Sequence, residues 1–184
     1  MMGGKSKDED KGIIPRLVEA IFLGIEEAEV GIEFTVKLSY VEIYNEKVRD
    51  LLVTPQRGGG PLAGSDNLKI REGTHGGVYI EGVTETYVNN IESVYELMEK
   101  GQNSRAIAAT NMNETSSRSH SVFVLTLGQI NTVSGSKKGS KLTLIDLAGS
   151  ERIEKTGAVG QTLDEAKSIS TLTILRPIMR LKVE

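Results

Sequence analysis

Cysteine is absent from the 184 residues, and with it go disulfide crosslinks, thiolate zinc sites and cysteine nucleophiles. Basic charge is not in excess: 22 Lys and Arg face 25 Asp and Glu, for a formal net charge of −3. No global positive field therefore points to nucleic acid, although a local basic patch remains compatible with an acidic polymer. No uninterrupted apolar run approaches the length of a membrane-spanning helix, so membrane insertion is not expected. The opening stretch MMGGKSKDEDKG lacks the apolar core of a secretory signal, and internal repeats and long low-complexity tracts are missing. What is there, 38% hydrophobic and 26% charged residues, fits a soluble, intracellular chain long enough to bury one real core.

Residues 1–12 are small, charged and aperiodic, and read as a flexible N-terminal loop. Beyond them Pro15 suits a first helical position, and Leu17, Ile21, Ile25 and Ala28 recur at helical spacing, which predicts an amphipathic helix ending near Gly31. IEFTVKLSYVEIYN then alternates, with Phe34, Val36, Leu38, Tyr40, Glu42 and Tyr44 on one parity, the pattern of a long strand. A short helical turn is expected through EKVRDLL, and a surface loop through the Gly- and Pro-rich TPQRGGGPLAG. NLKIRE and GVYIEGV read as short strands around the turn GTHGG. A second helix is expected in NIESVYELMEKGQNSRAIAAT, with Asn90 as its cap, Val94, Leu97 and Met98 as its apolar face and Gly101 as a break. SVFVLTLGQI and KLTLID are strands separated by the polar loop NTVSGSKKGS. Strands alternating with helices indicate an α/β layered domain. In the closing SISTLTILRPIMRLKVE, Pro177 would break any helix continuing from Glu165.

Two stretches carry chemistry. In LTLIDLAGSE an apolar strand ends in Asp146, and Gly149 lies three residues on. An acid so placed can organise a magnesium ion through water, and a glycine can bring its N–H to a terminal phosphate with no side chain in the way. The same Asp is equally the mark of an Asx turn or a helix cap. In NMNETSSRSHS hydroxyls, an Arg and a His crowd together before a strand. Ser and Thr hydroxyls can complete a magnesium shell or position an attacking water, and a Ser-rich capping loop has the same composition.

Together the two stretches resemble switch I and switch II of the kinesins. The switch I pattern Asn-x-x-Ser-Ser-Arg-Ser-His is intact from Asn113 to His120, and the switch II pattern Asp-Leu-Ala-Gly-Ser-Glu is intact from Asp146 to Glu151. GIIPRL at Gly12, VEIYNEKVRDLL at Val41 and KTGAVGQTLDEAK at Lys155 are similar to kinesin segments in kinesin order, and the resemblance runs from Met2 to Ile169. GVYIEG and the Lys155 segment are most similar to conventional kinesins.

The resemblance implies an α/β, partial kinesin-type P-loop NTPase fold, with a central mixed sheet flanked by helices and incomplete at both ends. Residues 13–170 would form the central part of a motor domain and 171–184 a divergent tail. It places Ser116 and Ser117 near magnesium and the hydrolytic waters, Asp146 in the magnesium shell and Gly149 against the γ-phosphate of Mg-ATP. Asn113 and Arg105 would lie near the nucleotide, and Arg118 and Glu151 would close the site by a salt bridge. Arg71, Lys155 and Lys167 would face tubulin, making the microtubule the partner and the cytoplasmic cytoskeleton the location.

The resemblance also sets expectations about what lies elsewhere. A motor of this kind needs G-x-x-x-x-G-K-[ST] between a strand and a helix. GGKS at Gly3 has only two residues before it, and in the family this stretch falls just after the phosphate loop. After Ile169 the match fades, and Pro177 interrupts the helix that would dock on tubulin. The isolated chain is therefore expected to hydrolyse no ATP usefully, to bind microtubules weakly and to expose unpaired sheet edges. A non-catalytic kinesin-like module that binds microtubules or another motor is the alternative. A different hydrolase with the same Asp-x-x-Gly chemistry stands further off, because the switch I pattern is intact.

Overall fold

The computed structural model describes residues 11–53, 67–73, 77–112 and 119–148, and within 107–112 the backbone alone. Helix α1 spans Ile13–Glu26 and carries Pro15 in its first turn, where a missing N–H breaks no intrahelical bond. Its buried face is Ile14, Val18 and Phe22, with Ile21 and Ile25 packed partly buried beside them. The stripe through Leu17 and Ala28 is thus displaced around the helix. Two apolar rows share Ile21 and Ile25, and only the sheet beneath selects between them. The helix stops at Glu26, and Gly31 instead takes φ 91° in the turn into the first strand.

That strand, β1 (Ile32–Tyr44), alternates in burial over its first half and is buried continuously from Leu38 to Ile43. It lies in a sheet of order β2-β1-β6-β7, where β2 is Lys47–Asp50, β6 is His120–Asn131 and β7 is Lys137–Asp146. A further short strand, Thr86–Val88, numbered β5, pairs with β1 near its middle and had no signal in the alternation. Every pairing among these described strands is antiparallel.

The segment EKVRDLL does not form a helical turn. Asn45 and Glu46 take positive φ and fold β2 back on β1, pairing Tyr44 with Lys47 and Ile43 with Val48. Burial of Val48 against Val41, Ile43, Val122 and Val124 makes the strand the better solution for that run. At its end Asp50 is buried, with one carboxylate oxygen accepting the Leu52 N–H at 2.9 Å and the other the Thr84 N–H at 2.6 Å. The strands β3 (Ile70–Glu72) and β4 (Val78–Ile80) form the expected hairpin, a separate two-stranded sheet. The described part of the polar loop before KLTLID is shorter than its composition suggests, since Lys137 to Ser140 already pair with β6. Exposed antiparallel ladders tolerate polar side chains.

Two apolar clusters seal the sheet. On one face Val36, Leu38, Tyr40, Phe123 and Leu125 pack against α1 and against α2 (Ile91–Met112) through Val94 and Met98. On the other, Val41, Ile43, Val48, Val122 and Val124 meet Ile70 and Ile80 of the small hairpin. Asn90 caps α2 as expected, its Oδ1 accepting the Ser93 N–H at 2.8 Å. Gly101 does not break the helix. A Cβ there would overlap Cδ1 and Cε1 of Tyr40, so the missing side chain lets α2 settle directly on the Tyr40 ring. That ring also packs edge-on against Phe123, with centroids 5.8 Å apart.

Candidate functional site

The close seating at Gly101 fixes where the next turn of α2 meets the sheet. Residues four apart share a helix face and residues two apart share a strand face. With Gly101 on Tyr40, Arg105 therefore arrives at Glu42. Its Nε donates to Glu42 Oε1 at 3.0 Å, while Arg49 from β2 donates to Oε2 at 3.4 Å. Glu42 is 3% exposed, one buried carboxylate held between two guanidinium groups. The Arg105 Nη2 reaches further, donating to the Ser119 hydroxyl at 2.8 Å and to the Ser119 carbonyl at 3.0 Å. Ser119 is buried and leads directly into β6. The Arg105 side chain thus joins the middle of the sheet to Ser119, the residue immediately before β6.

The second switch pattern begins at the end of β7. Asp146 is the last residue of that strand and pairs across the ladder with Ser121. Two residues later the buried Ala148 donates its N–H to Nδ1 of His120 at 2.9 Å. An imidazole nitrogen that accepts carries no proton, which places the proton of neutral His120 on Nε2. Burial, and then the Arg105 charge, hold His120 below its usual pKa. Burial pushes the Tyr40 phenol up, opposed by a hydrogen bond with Ser121 and by Arg105. No described buried side-chain N or O lacks a partner. The start of β6 and the end of β7 are therefore held side by side, with Ala148 tied to His120.

The family model described as Kinesin motor domain matches residues 1–182. This chain belongs to that family. It is 52% identical over 171 residues to the kinesin heavy chain of Neurospora crassa, covering 92% of this chain and 18% of that one. Against the kinesin heavy chain of Drosophila melanogaster it is 48% identical over 160 residues, with 87% and 16% covered. The solved structure of a fast kinesin superposes with a TM-score of 0.81 at 51% identity, over 95% of this chain and 48% of that one. A KIF14 dimer with AMP-PNP in complex with a microtubule gives a TM-score of 0.72 at 36% identity, over 91% and 47%. The chain thus spans less than a fifth of those heavy chains and about half of the solved motors. The α/β kinesin motor fold, a central sheet flanked by helices, is the one expected from the switch patterns.

Of the residues expected at a kinesin nucleotide site, the described structure places two. Asp146 stands at the carboxyl end of β7, and Arg105 stands on α2, engaged with Glu42 and Ser119. Asn113, Ser116, Ser117, Arg118, Gly149 and Glu151 lie outside the described residues, as do Lys155 and Lys167 of the expected tubulin-facing set. Arg71 lies on β3, its Nε donating to Glu81 at 3.0 Å in an exposed pair. Three residues of the cluster carry no role in the reading of the sequence. Ser119 and His120 sit inside the switch pattern, and His120 has a signal in being one of only two histidines. Glu42 has one too, as an acid on the apolar parity of β1.

Proposed function

We propose that this chain is the switch-bearing half of a microtubule motor ATPase, acting on Mg-ATP in the protein where it is joined to a phosphate cradle. The observation that supports it is the pairing of β6 with β7, which sets the feet of both switch patterns next to each other, tied by the Ala148 to His120 hydrogen bond. A single bound γ-phosphate would then be within reach of both loops. In this reading Asp146 holds the magnesium shell, Ser116 and Ser117 approach the ion and the waters, and Gly149 offers its N–H to the γ-phosphate. Asn113 lines the nucleotide side, and Arg118 pairs with Glu151 to close the site. An Arg–carboxylate pair is directional, so making or breaking it separates two discrete loop positions.

The residues at hand fit magnesium. Among the described residues no three His, Cys, Asp or Glu gather into a cage, and a lone carboxylate suits an ion that keeps its waters and takes phosphate oxygens. Bound Mg-ATP would supply the phosphoryl group and the charge to which the loops respond. Arg71, Lys155 and Lys167 are read as contacts to acidic tubulin, and a cytoskeletal location accords with that partner. Among the described residues no helix is long and apolar enough to cross a membrane.

The test is Gly149→Ala in the intact protein, with microtubule-stimulated ATP hydrolysis as readout. The added Cβ would crowd the phosphate approach, and turnover is expected to fall by about a hundredfold while Mg-ATP still binds. Unchanged turnover would overturn the role of Gly149. An intact protein without any hydrolysis would favour the non-catalytic module.

A further inference from the structure

The buried cluster contains Glu42, which neither switch pattern includes, and one of its two guanidinium partners leads on to the residue before β6. Glu42 holds Arg105 through Oε1, and Arg105 holds both the hydroxyl and the carbonyl of Ser119. Ser119 is the next residue after Arg118, so its carbonyl is a main-chain anchor one residue beyond the switch I hydroxyls and Arg118 in sequence. We propose that Glu42 is a positioning residue for the switch I loop, acting through Arg105 on the Ser119 main chain; this rests on the function proposed above.

Three features support it. Both Glu42 and Ser119 are buried, each 3% exposed, so water cannot replace a lost partner without opening the core. The contact from Arg105 is forked, with Nε also 3.3 Å from the Ser119 hydroxyl. A planar, forked donor of this kind fixes orientation where a lysine would fix only charge. Finally, the carboxylate of Glu42 holds the Nε edge of the Arg105 guanidinium while Nη2 reaches Ser119, so it helps to fix the rotamer that makes the Ser119 contact. A loop whose foot shifts by about an ångström loses alignment at the reacting atoms, which costs up to about a hundredfold in rate.

Glu42 also binds Arg49, and this supplies the control. Arg49→Gln removes a charged partner of Glu42 from the side away from Ser119. Glu42→Gln keeps the shape but weakens the hold on Arg105, and Arg105→Lys removes the fork. In the intact protein Glu42→Gln and Arg105→Lys are each expected to lower microtubule-stimulated kcat for ATP by about tenfold. The microtubule concentration for half-maximal rate should stay unchanged, and Arg49→Gln should lower the rate less than Glu42→Gln does, because the Arg105 contacts to Glu42 and Ser119 remain. The double variant Glu42→Gln, Arg105→Lys should be no slower than the slower single variant, because both act on one contact.

Hydrogen exchange gives a readout independent of catalysis. In Glu42→Gln the amides of His120 and Ser121 should exchange about tenfold faster while that of Val18 in α1 is unchanged. Should Glu42→Gln fail to fold, Ser119→Ala removes the hydroxyl arm alone and is expected to show the same pattern at smaller size. Wild-type rate and protection in both Glu42→Gln and Ser119→Ala would overturn the proposal. So would equal effects of Arg49→Gln and Glu42→Gln, or rate losses that multiply in the double variant. If the wild-type protein hydrolyses no ATP, the proposed function fails, and the exchange experiment still decides the role of Glu42.

Discussion

The Ala148 N–H donates to Nδ1 of His120 at 2.9 Å, so the last described residue before Gly149 hangs on the second residue after Arg118. This bond exists only while His120 is neutral. Protonation would place a hydrogen on the accepting nitrogen and a charge beside Arg105. Burial and Arg105 lower its pKa from the usual 6.5, so the folded protein binds this proton less readily than the unfolded chain does. The associated stability is fully present above pH 6.5 and is lost as pH falls from there through the lowered folded value. Urea midpoints at about pH 7.5 and about pH 5.5 measure it. His120→Asn offers an oxygen near the Nδ1 position and does not titrate, and its midpoint is expected to move less between the two pH values. An equal pH response in both proteins would remove His120 as the cause.

Gly101 sets a second relationship. In a helix interior Ala is ordinarily better than Gly by about 1 kcal/mol, so Gly101→Ala would stabilise a free surface. Here the new Cβ meets the ring of Tyr40, itself buried and packed edge-on against Phe123. Overpacking of this kind costs about 1–3 kcal/mol, so the overlap outweighs the gain in propensity. Gly101→Ala is expected to lower the urea midpoint of the intact protein and, by lifting α2, to loosen Arg105 from Glu42. A midpoint at or above wild type would show that the helix has another way to seat.

These two sites show what was legible in the sequence and what was not. The switch patterns, the strand ending at Asp146 and the cap at Asn90 were readable because each is a local rule with a local cause. Gly101 was readable as special but not as a seat, since the ring it admits lies 61 positions back in the chain, at Tyr40. Glu42 was visible on the inward parity of β1, yet the guanidinium that explains it comes from α2 and the second from β2. The short strand β5 (Thr86–Val88) escaped notice because three residues carry too little alternation, and only pairing with Val36 to Leu38 defines it. Composition, which favours a capping loop for the Ser-rich stretch, says nothing about the hydroxyl of Ser119 meeting Arg105.

The turn whose sequence suggests a helix gives the last prediction. Asn45 and Glu46 take φ 47° and 60°, the left-handed pair that closes a two-residue hairpin between Tyr44 and Lys47. Asn-Gly is the preferred pair for such a turn, because glycine adopts positive φ without a Cβ clash. Glu46 is exposed, and its left-handed backbone costs about 1–2 kcal/mol relative to an unstrained position. Glycine removes that cost and gives back part of the gain as greater freedom in the unfolded chain. Glu46→Gly is therefore expected to stabilise the intact protein by about 0.5–1 kcal/mol, read as a higher urea midpoint with an unchanged slope. The slope matters, since a change there would mean an altered unfolded state and not a relieved turn. Because β2 carries Arg49 to the far side of Glu42 and not toward Ser119, the stabilised hairpin should leave ATP turnover where it was. A changed turnover would mean that β2 also acts on the residues before β6.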